Sequence, residues 1–489
     1  MIGHPISAPS MPRRKRTSGP SSVRRLTSQI ARRPWILAGV ALIGASVAFV
    51  VVTRIRPEFD TYGWLVWGRQ AAHLALNTNS APSWKPLTFL FTLPYALAGG
   101  GSLWLWMVTA VAAAFAGILL AGRIAYRLTG RYTERLYARI AAAAFAGFGV
   151  LALGDYWHYI LISASDPMVV ALFLAAIDCH LSRRSKLAWL ALVLASLGRP
   201  EVWPAATVYA LWGWRAVPSM RVLIVGGLVA IPALWFGIAA LTSPSWSIAA
   251  DIATDSTAAL PHRGAAGVLR GFWHLYDLPM KVAVVLALVV AVARRDRTSL
   301  LLAGAAVSWV LVEVALALHG WTGAARYMFE PADVLVVLGG TAIGQVLALG
   351  PRRLWLLRWP AAAGIVSAVA VALISPTQSR VRLAGNEIGY LAHGWTQQID
   401  SLRAAIANDG GAKRILACGQ PVTDVAFQSI LAWEIGKNVA DIGWDPSTWV
   451  AQGKPIVLFE LQGAGWKVQP IHAPATSRTR CANFKREAV

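Results

Sequence analysis

Apolar runs long enough to cross a bilayer recur along most of the chain, separated by short polar breaks. A crossing helix needs roughly 17–25 predominantly apolar residues. On that measure the pattern predicts about eleven transmembrane helices, near 35–53, 102–122, 139–154, 167–182, 187–198, 202–214, 222–242, 278–293, 298–318, 330–349 and 359–375. The pair 187–198 and 202–214 is short enough to be a bent hairpin that does not cross fully. Beyond residue 375 Asp, Asn, Gln, Gly and Lys return. Leu402 to Ile406 reads there as helix, and Arg414 to Cys418 and Pro455 to Phe459 read as buried strands between turn signals. The predicted class is therefore an α-helical polytopic membrane protein with a small C-terminal α/β domain. Its parts are a basic tail at 1–34, a membrane domain at 35–375 and the C-terminal domain at 376–489.

One stretch fits neither a span nor an ordinary loop. Arg56-Pro57-Glu58-Phe59-Asp60-Thr61-Tyr62-Gly63-Trp64 runs on through Trp67, Arg69 and Gln70 to Ser83-Trp84-Lys85-Pro86-Leu87. It is too polar to cross and too aromatic to be a plain connection. Tryptophan and tyrosine favour the membrane–water interface, so Trp64, Trp67, Trp84, Trp104 and Trp106 are expected to form an interfacial belt. Charged groups held at a membrane are costly and are functional candidates by default. The first loop, 54–101, is thus the predicted site.

Composition agrees with a membrane protein. The chain is 56% hydrophobic and 14% charged, with a mean hydropathy of +0.52, where a soluble domain carries about 25% charge. The net charge of +22 first suggests nucleic acid, but its placement argues against it. With the N-terminus inside, arginine and lysine concentrate in the tail, between Arg123 and Arg139, and at Arg183, Arg184, Lys186, Arg294, Arg295, Arg352 and Arg353. That bias reports orientation. It predicts a multi-pass membrane protein with a cytoplasmic N-terminus and an extracytoplasmic C-terminal domain. No nucleic acid is expected. Three cysteines are too few for a disulfide scaffold. Cys418 and Cys481 fall in the oxidising compartment, where a disulfide between them is a hypothesis; Cys179 reads as a free buried thiol.

This topology brings polar residues from distant parts of the chain to one membrane face: Glu58, Asp60, His73 and Lys85; Asp155, His158 and Asp166; Arg199 and Glu201; His319, Arg326, Tyr327 and Glu330. Carboxylates beside arginines suit a cavity that binds an anionic, lipid-anchored substrate and removes a proton from an acceptor. Each residue also has a plainer reading. Asp60 and Asp166 are placed to cap helices, Lys85, Arg199 and Arg326 to snorkel toward headgroups, and Glu201 to neutralise Arg199. No two histidines stand at zinc-ligand spacing. Asp60 with Asp166 has the oxygen ligands for magnesium or manganese. Glu313 lies within a predicted span, where a buried partner or a cavity face is expected.

The order of these elements resembles the GT-C superfamily of membrane glycosyltransferases. The resemblance rests on Asp60 after the first span, on Ser165-Asp166-Pro167 opening a helix, on Gly198-Arg199-Pro200-Glu201 between two apolar runs, and on Arg326-Tyr327 shortly before Pro331 and a long apolar helix. Asp60 is followed by Thr61 rather than by a second acid, which leaves Glu58 and Asp60 as candidates; Asp60 is preferred because the aromatic segment starts there. The resemblance implies transfer of a sugar from a polyprenyl-phosphate donor to an envelope glycan, glycolipid or protein acceptor, by a hexosyl- or pentosyltransferase. Asp60 and Asp166 would be catalytic. Glu58, Lys85, Arg199, Glu201, Arg326 and Tyr327 would bind substrate. The Ala-, Arg-, Gly- and Trp-rich composition suits a GC-rich genome, and with it a mannose- or arabinose-type sugar. The competing classes are a transporter or flippase and a non-catalytic envelope assembly protein.

Overall fold

A computed structural model describes residues 34–258, 264–349, 383–463, 465–472, 481 and 484. The basic tail and the expected span at 359–375 lie outside the described residues. Every other expected span is helical. Among the described residues, five helical stretches are long and apolar enough to cross a bilayer: Ile36–Thr53, Pro86–Gly130, Pro218–Thr242, Arg297–Leu318 and Ala325–Leu347. Gly264–His274 and Leu278–Arg294 form a further candidate, bent by 102° at the break between them. Leu136–Leu151, Asp166–Leu181, Ser185–Gly198 and Trp203–Ala216 are helices of 16, 16, 14 and 14 residues, each short for a full crossing.

Helix Phe329–Leu347 is the pillar of the bundle. It packs against Leu136–Leu151, Leu278–Arg294, Arg297–Leu318 and Ser102–Gly130, and nearly every residue on it is buried. This explains why its first turns can carry Glu330 and Asp333: they face protein rather than lipid. Helix Pro34–Thr53 lies at the rim, mostly exposed, as a lipid-facing helix should be.

The expected interfacial belt is not what the aromatic stretch makes. Trp64, Trp67, Trp84 and Trp106 are fully buried, and only Trp104 is exposed. Residues Phe59–Ala72 form a helix whose Thr61 to Gly68 turns are wholly enclosed. Trp64 packs edge-on to Trp106 at 5.2 Å, and Trp67 meets Trp84 at 5.1 Å. Indole rings bury more surface than any other side chain, so four from three separate segments make a core where a belt was expected. Gly63 allows the approach. A Cβ there would sit 2.0 Å from Cδ of Pro82.

The C-terminal domain has a three-stranded sheet: β1 (Gln420–Val422), β2 (Ile456–Gln462) and β3 (Gly465–Ile471). β1 pairs parallel to β2 from Gln420 opposite Ile456, and β2 pairs antiparallel to β3 with Phe459 opposite Val468. Helices Thr396–Asn408, Gly411–Cys418 and Gln428–Ile435 accompany it. The stretch from Arg414 to Cys418, expected as a strand, is the end of a helix. Its buried residues are Ile415 and Cys418, three apart, a helical spacing that a four-residue apolar run does not reveal. Cys418 and Cys481 are joined by a disulfide, with a Cα–Cα distance of 5.7 Å, and Cys179 is a free, half-buried thiol.

The bridge closes over 63 residues, which removes roughly 2–5 kcal/mol worth of disorder from the unfolded domain. A maleimide is expected to label one thiol in the denatured, unreduced protein and three after reduction, and Cys418→Ser is expected to unfold the C-terminal domain at lower temperature. Labelling of three thiols without reduction would refute the bridge.

Candidate active site

The candidate residues sit at the ends of helices. Asp60 lies in the first turn of Phe59–Ala72, Lys85 precedes Pro86–Tyr95, Asp166 opens Asp166–Leu181, Arg199 follows Ser185–Gly198, and Glu330 lies in the first turn of Phe329–Leu347. Asp60 is not a cap, since the capping position is Glu58 and no side chain bonds there. Its Oδ2 faces Nζ of Lys85 at 4.0 Å. Lys85 Nζ lies 3.5 Å from Oγ of Ser165 and 5.2 Å from the centre of the Trp64 ring, so an indole face backs the ammonium.

From Ser165 the chain of charges runs inward. Asp166 is ion-paired to Nη2 of Arg199. Nε of Arg199 lies 3.8 Å from Oε1 of Glu330. Arg199 and Asp166 side chains are each 5% exposed, and Glu330 is fully buried. Gly198 makes this possible: a Cβ there would come within 2.6 Å of Val169 and 2.8 Å of Leu87, so glycine lets three helix ends meet and delivers Arg199 to Asp166. Arg199 also lies 5.0 Å from the centre of the Tyr327 ring, and Arg326 lies 5.2 Å from the same ring. Arg326 donates to Tyr327 Oη at 3.4 Å, while the indole of Trp309 donates to the Tyr327 carbonyl at 3.1 Å.

The eight residues named as catalytic or substrate-binding thus gather in one region. Glu58 lies in the field of Asp60, Arg326, Asp166 and Lys85. Glu201 is buried and acts electrostatically on Arg199. His73 and His319 stand apart: the rings are exposed and bond to the carbonyls of Arg69 and Ala315. His158 binds Glu387 at 2.6 Å. The topology places Glu330 on this face without giving it a role, and Asp333 is not among the residues the sequence points to. Their signal was the spacing of Glu330 and Asp333, three apart on helix Phe329–Leu347, directly after the turn that carries Arg326. The carboxylate oxygens of Glu313, Glu330 and Asp333 have no hydrogen-bond partner among the described residues, and Glu313 senses Glu201, Arg199 and Glu330.

The two carboxylates expected to offer oxygen ligands to a magnesium or manganese ion are each matched to a cation. Asp60 faces Lys85 and Asp166 is held by Arg199. Among the described residues no three His, Cys, Asp or Glu side chains are grouped to hold a metal.

No family model matches the sequence, and no curated protein matches it. Solved structures do match. ArnT from Cupriavidus metallidurans in the apo state superposes with a TM-score of 0.54 at 15% identity, over 88% of this chain and 93% of that one. ArnT from the same organism bound to undecaprenyl phosphate superposes with a TM-score of 0.55 at 14% identity, over 87% of this chain and 93% of that one. This is the GT-C fold. The likeness spans both the bundle and the C-terminal region, so the GT-C architecture expected from the order of the motifs is the one the chain adopts.

Two outcomes follow from the charges. Burial, with Asp60 adding to it, pushes the Glu58 carboxyl up to about 8 from 4.5. The folded state then binds a proton that the unfolded chain has lost, so this contribution is present below pH 4.5 and is lost as pH rises toward 8. Glu58→Gln is expected to flatten that part of a stability–pH profile; an unchanged slope would be against it. Arg199→Ala leaves two buried carboxylates without their cation and is expected to cost roughly 3–5 kcal/mol. Detergent-unfolding midpoints check this, with the Arg199→Leu, Asp166→Leu double variant expected to lose less than the single.

Proposed function

We propose that the chain is a membrane glycosyltransferase that takes a sugar from a polyprenyl-phosphate donor. One observation carries the reading: a carboxylate, Asp60, and a cation, Lys85, face each other at 4.0 Å at the half-buried edge of an otherwise enclosed ion cluster. Such a pair has the two chemical parts that the transfer needs. The 4.0 Å separation is at the limit of an ion pair, so an entering phosphate can take Lys85 for itself.

In this reading Asp60 accepts the proton of the acceptor hydroxyl as its oxygen attacks the anomeric carbon. The carbon–oxygen bond to the phosphate breaks, and the departing polyprenyl phosphate keeps the electron pair. Lys85 and Arg326 stabilise the charge that gathers on it. Arg199, already matched by Asp166 and Glu330, fixes the Asp166 end of the site. Glu58 and Glu201 line the region where sugar hydroxyls would be held, with the Tyr327 ring against both arginines. ArnT of the same fold has been seen with undecaprenyl phosphate, which supports a polyprenyl-phosphate donor here.

We take the reaction to occur at the extracytoplasmic face of a bacterial plasma membrane, with an envelope glycan, glycolipid or protein as acceptor. The sugar is taken as mannose- or arabinose-type on composition alone. A transporter reading places functional charges near the middle of the bilayer. Here they lie at helix ends, which favours an interfacial enzyme.

In reconstituted membranes supplied with a panel of pentosyl and hexosyl polyprenyl phosphates, the wild type is expected to transfer at least one sugar. Asp60→Asn is expected to lose on the order of 10²–10⁴-fold in kcat while remaining inserted and folded. Normal turnover by Asp60→Asn would sink the assignment of the base.

A further inference from the structure

The short link between helix Pro34–Thr53 and helix Phe59–Ala72 carries Glu58 and leads into Asp60. Backbone groups in such a link must find partners if the link is to hold one shape. Several of the partners in and beside the link come from the far end of the chain. The Arg56 amide donates to Oγ1 of Thr396 at 2.9 Å. The Trp395 indole donates to the Pro57 carbonyl at 2.9 Å. The Ser429 hydroxyl donates to the Phe59 carbonyl at 2.5 Å. The Arg56 guanidinium pairs with Asp400 at 2.9 Å. The membrane domain adds the Ile162 carbonyl, which accepts from the Glu58 amide at 3.3 Å. The Phe59 carbonyl belongs to the same peptide plane as the Asp60 amide, so Ser429 sets the plane from which the candidate base departs.

The other end of helix Phe59–Ala72 is held by the same domain. The Arg69 guanidinium donates to the carbonyls of Ala432, Trp433 and Lys437 at 3.2–3.3 Å and lies 5.0 Å from the Trp433 ring centre. These carbonyls lie in the last turn of helix Gln428–Ile435 and, for Lys437, just past it, where a cation is favoured. Ser429 and Arg69 therefore fasten the helix to helix Gln428–Ile435 at both its ends.

We propose that the C-terminal domain is a brace for the acidic loop, and that Ser429 and Trp395 are positioning residues that hold Asp60 opposite Lys85. The proposal rests on the transferase reading for its kinetic consequence, and its structural consequence stands without it. In the full-length protein in nanodiscs, Ser429→Ala combined with Trp395→Phe is expected to speed hydrogen exchange across residues 56–64 by about tenfold. Exchange across helix Phe329–Leu347 is expected to stay unchanged, which shows that the bundle remains folded. In the transfer assay the same variant is expected to lose roughly ten- to a hundredfold in kcat, with KM for the donor within about twofold. Ser429→Thr is expected to restore the rate.

Exchange at 56–64 identical to wild type would overturn the brace, whether or not a sugar donor has been found. So would unchanged kcat in a preparation where Asp60→Asn is inactive. If the wild type transfers nothing from any donor while exchange at 56–64 rises as expected, the brace stands and the transferase reading falls.

Discussion

A guanidinium cannot be carried to the end of an apolar helix and buried without anions to receive it. Desolvating such a charge costs several kcal/mol, and only close, well-placed counter-charges offset that. Arg199 meets this condition through Asp166 on one side and Glu330 on the other. The three residues come from different parts of the chain, so their pairing fixes where helices Asp166–Leu181, Ser185–Gly198 and Phe329–Leu347 begin or end relative to one another. The rest of the site is arranged around that node. Lys85 and Asp60 form its open edge, and the Tyr327 ring lies against both arginines.

The second constraint is aromatic. Trp64, Trp67, Trp84 and Trp106 are buried because the helix Phe59–Ala72 is pressed into the bundle on one side and held by the C-terminal domain on the other. A wholly lipid-facing version of this helix would leave Asp60 free to reorient. Enclosed as it is, the helix presents its first turn to Lys85 in a fixed direction. The membrane domain and the C-terminal domain therefore share a structural task. The disulfide between Cys418 and Cys481 secures a helix of the domain that makes the contact.

Likeness to ArnT at about 15% identity fits this picture. A membrane bundle keeps its architecture as long as apolar positions recur at helical spacing and a few charges keep their partners. Most other positions are free to change. A fold alone does not assign a reaction, so the chemical reading rests on Asp60 and Lys85.

The sequence by itself determined what depends on local pattern. Helix positions along the bundle followed from the length of apolar runs. Asp60, Lys85, Asp166, Arg199 and Arg326 became candidates through the cost of charge in an apolar setting together with the GT-C-like order of the motifs around them. What needed the tertiary structure was every pairing between distant elements. Asp166 rather than Glu201 receives Arg199 because helix ends far apart in sequence meet at Gly198, and Glu330 completes the node from the start of helix Phe329–Leu347. The tryptophans proved to be core because an indole fits an interface or an interior equally well in one dimension; only a neighbour such as Trp106 against Trp64 decides between them. Residues Arg414 to Cys418 turned into a helix end because a four-residue apolar run carries no period of its own, and the sheet they were expected to join begins after the turn at Gly419, with Gln420. The hold of Ser429 and Trp395 on the acidic loop was invisible for the same reason, since a hydrogen bond spanning more than three hundred residues leaves no trace in the local pattern at either end.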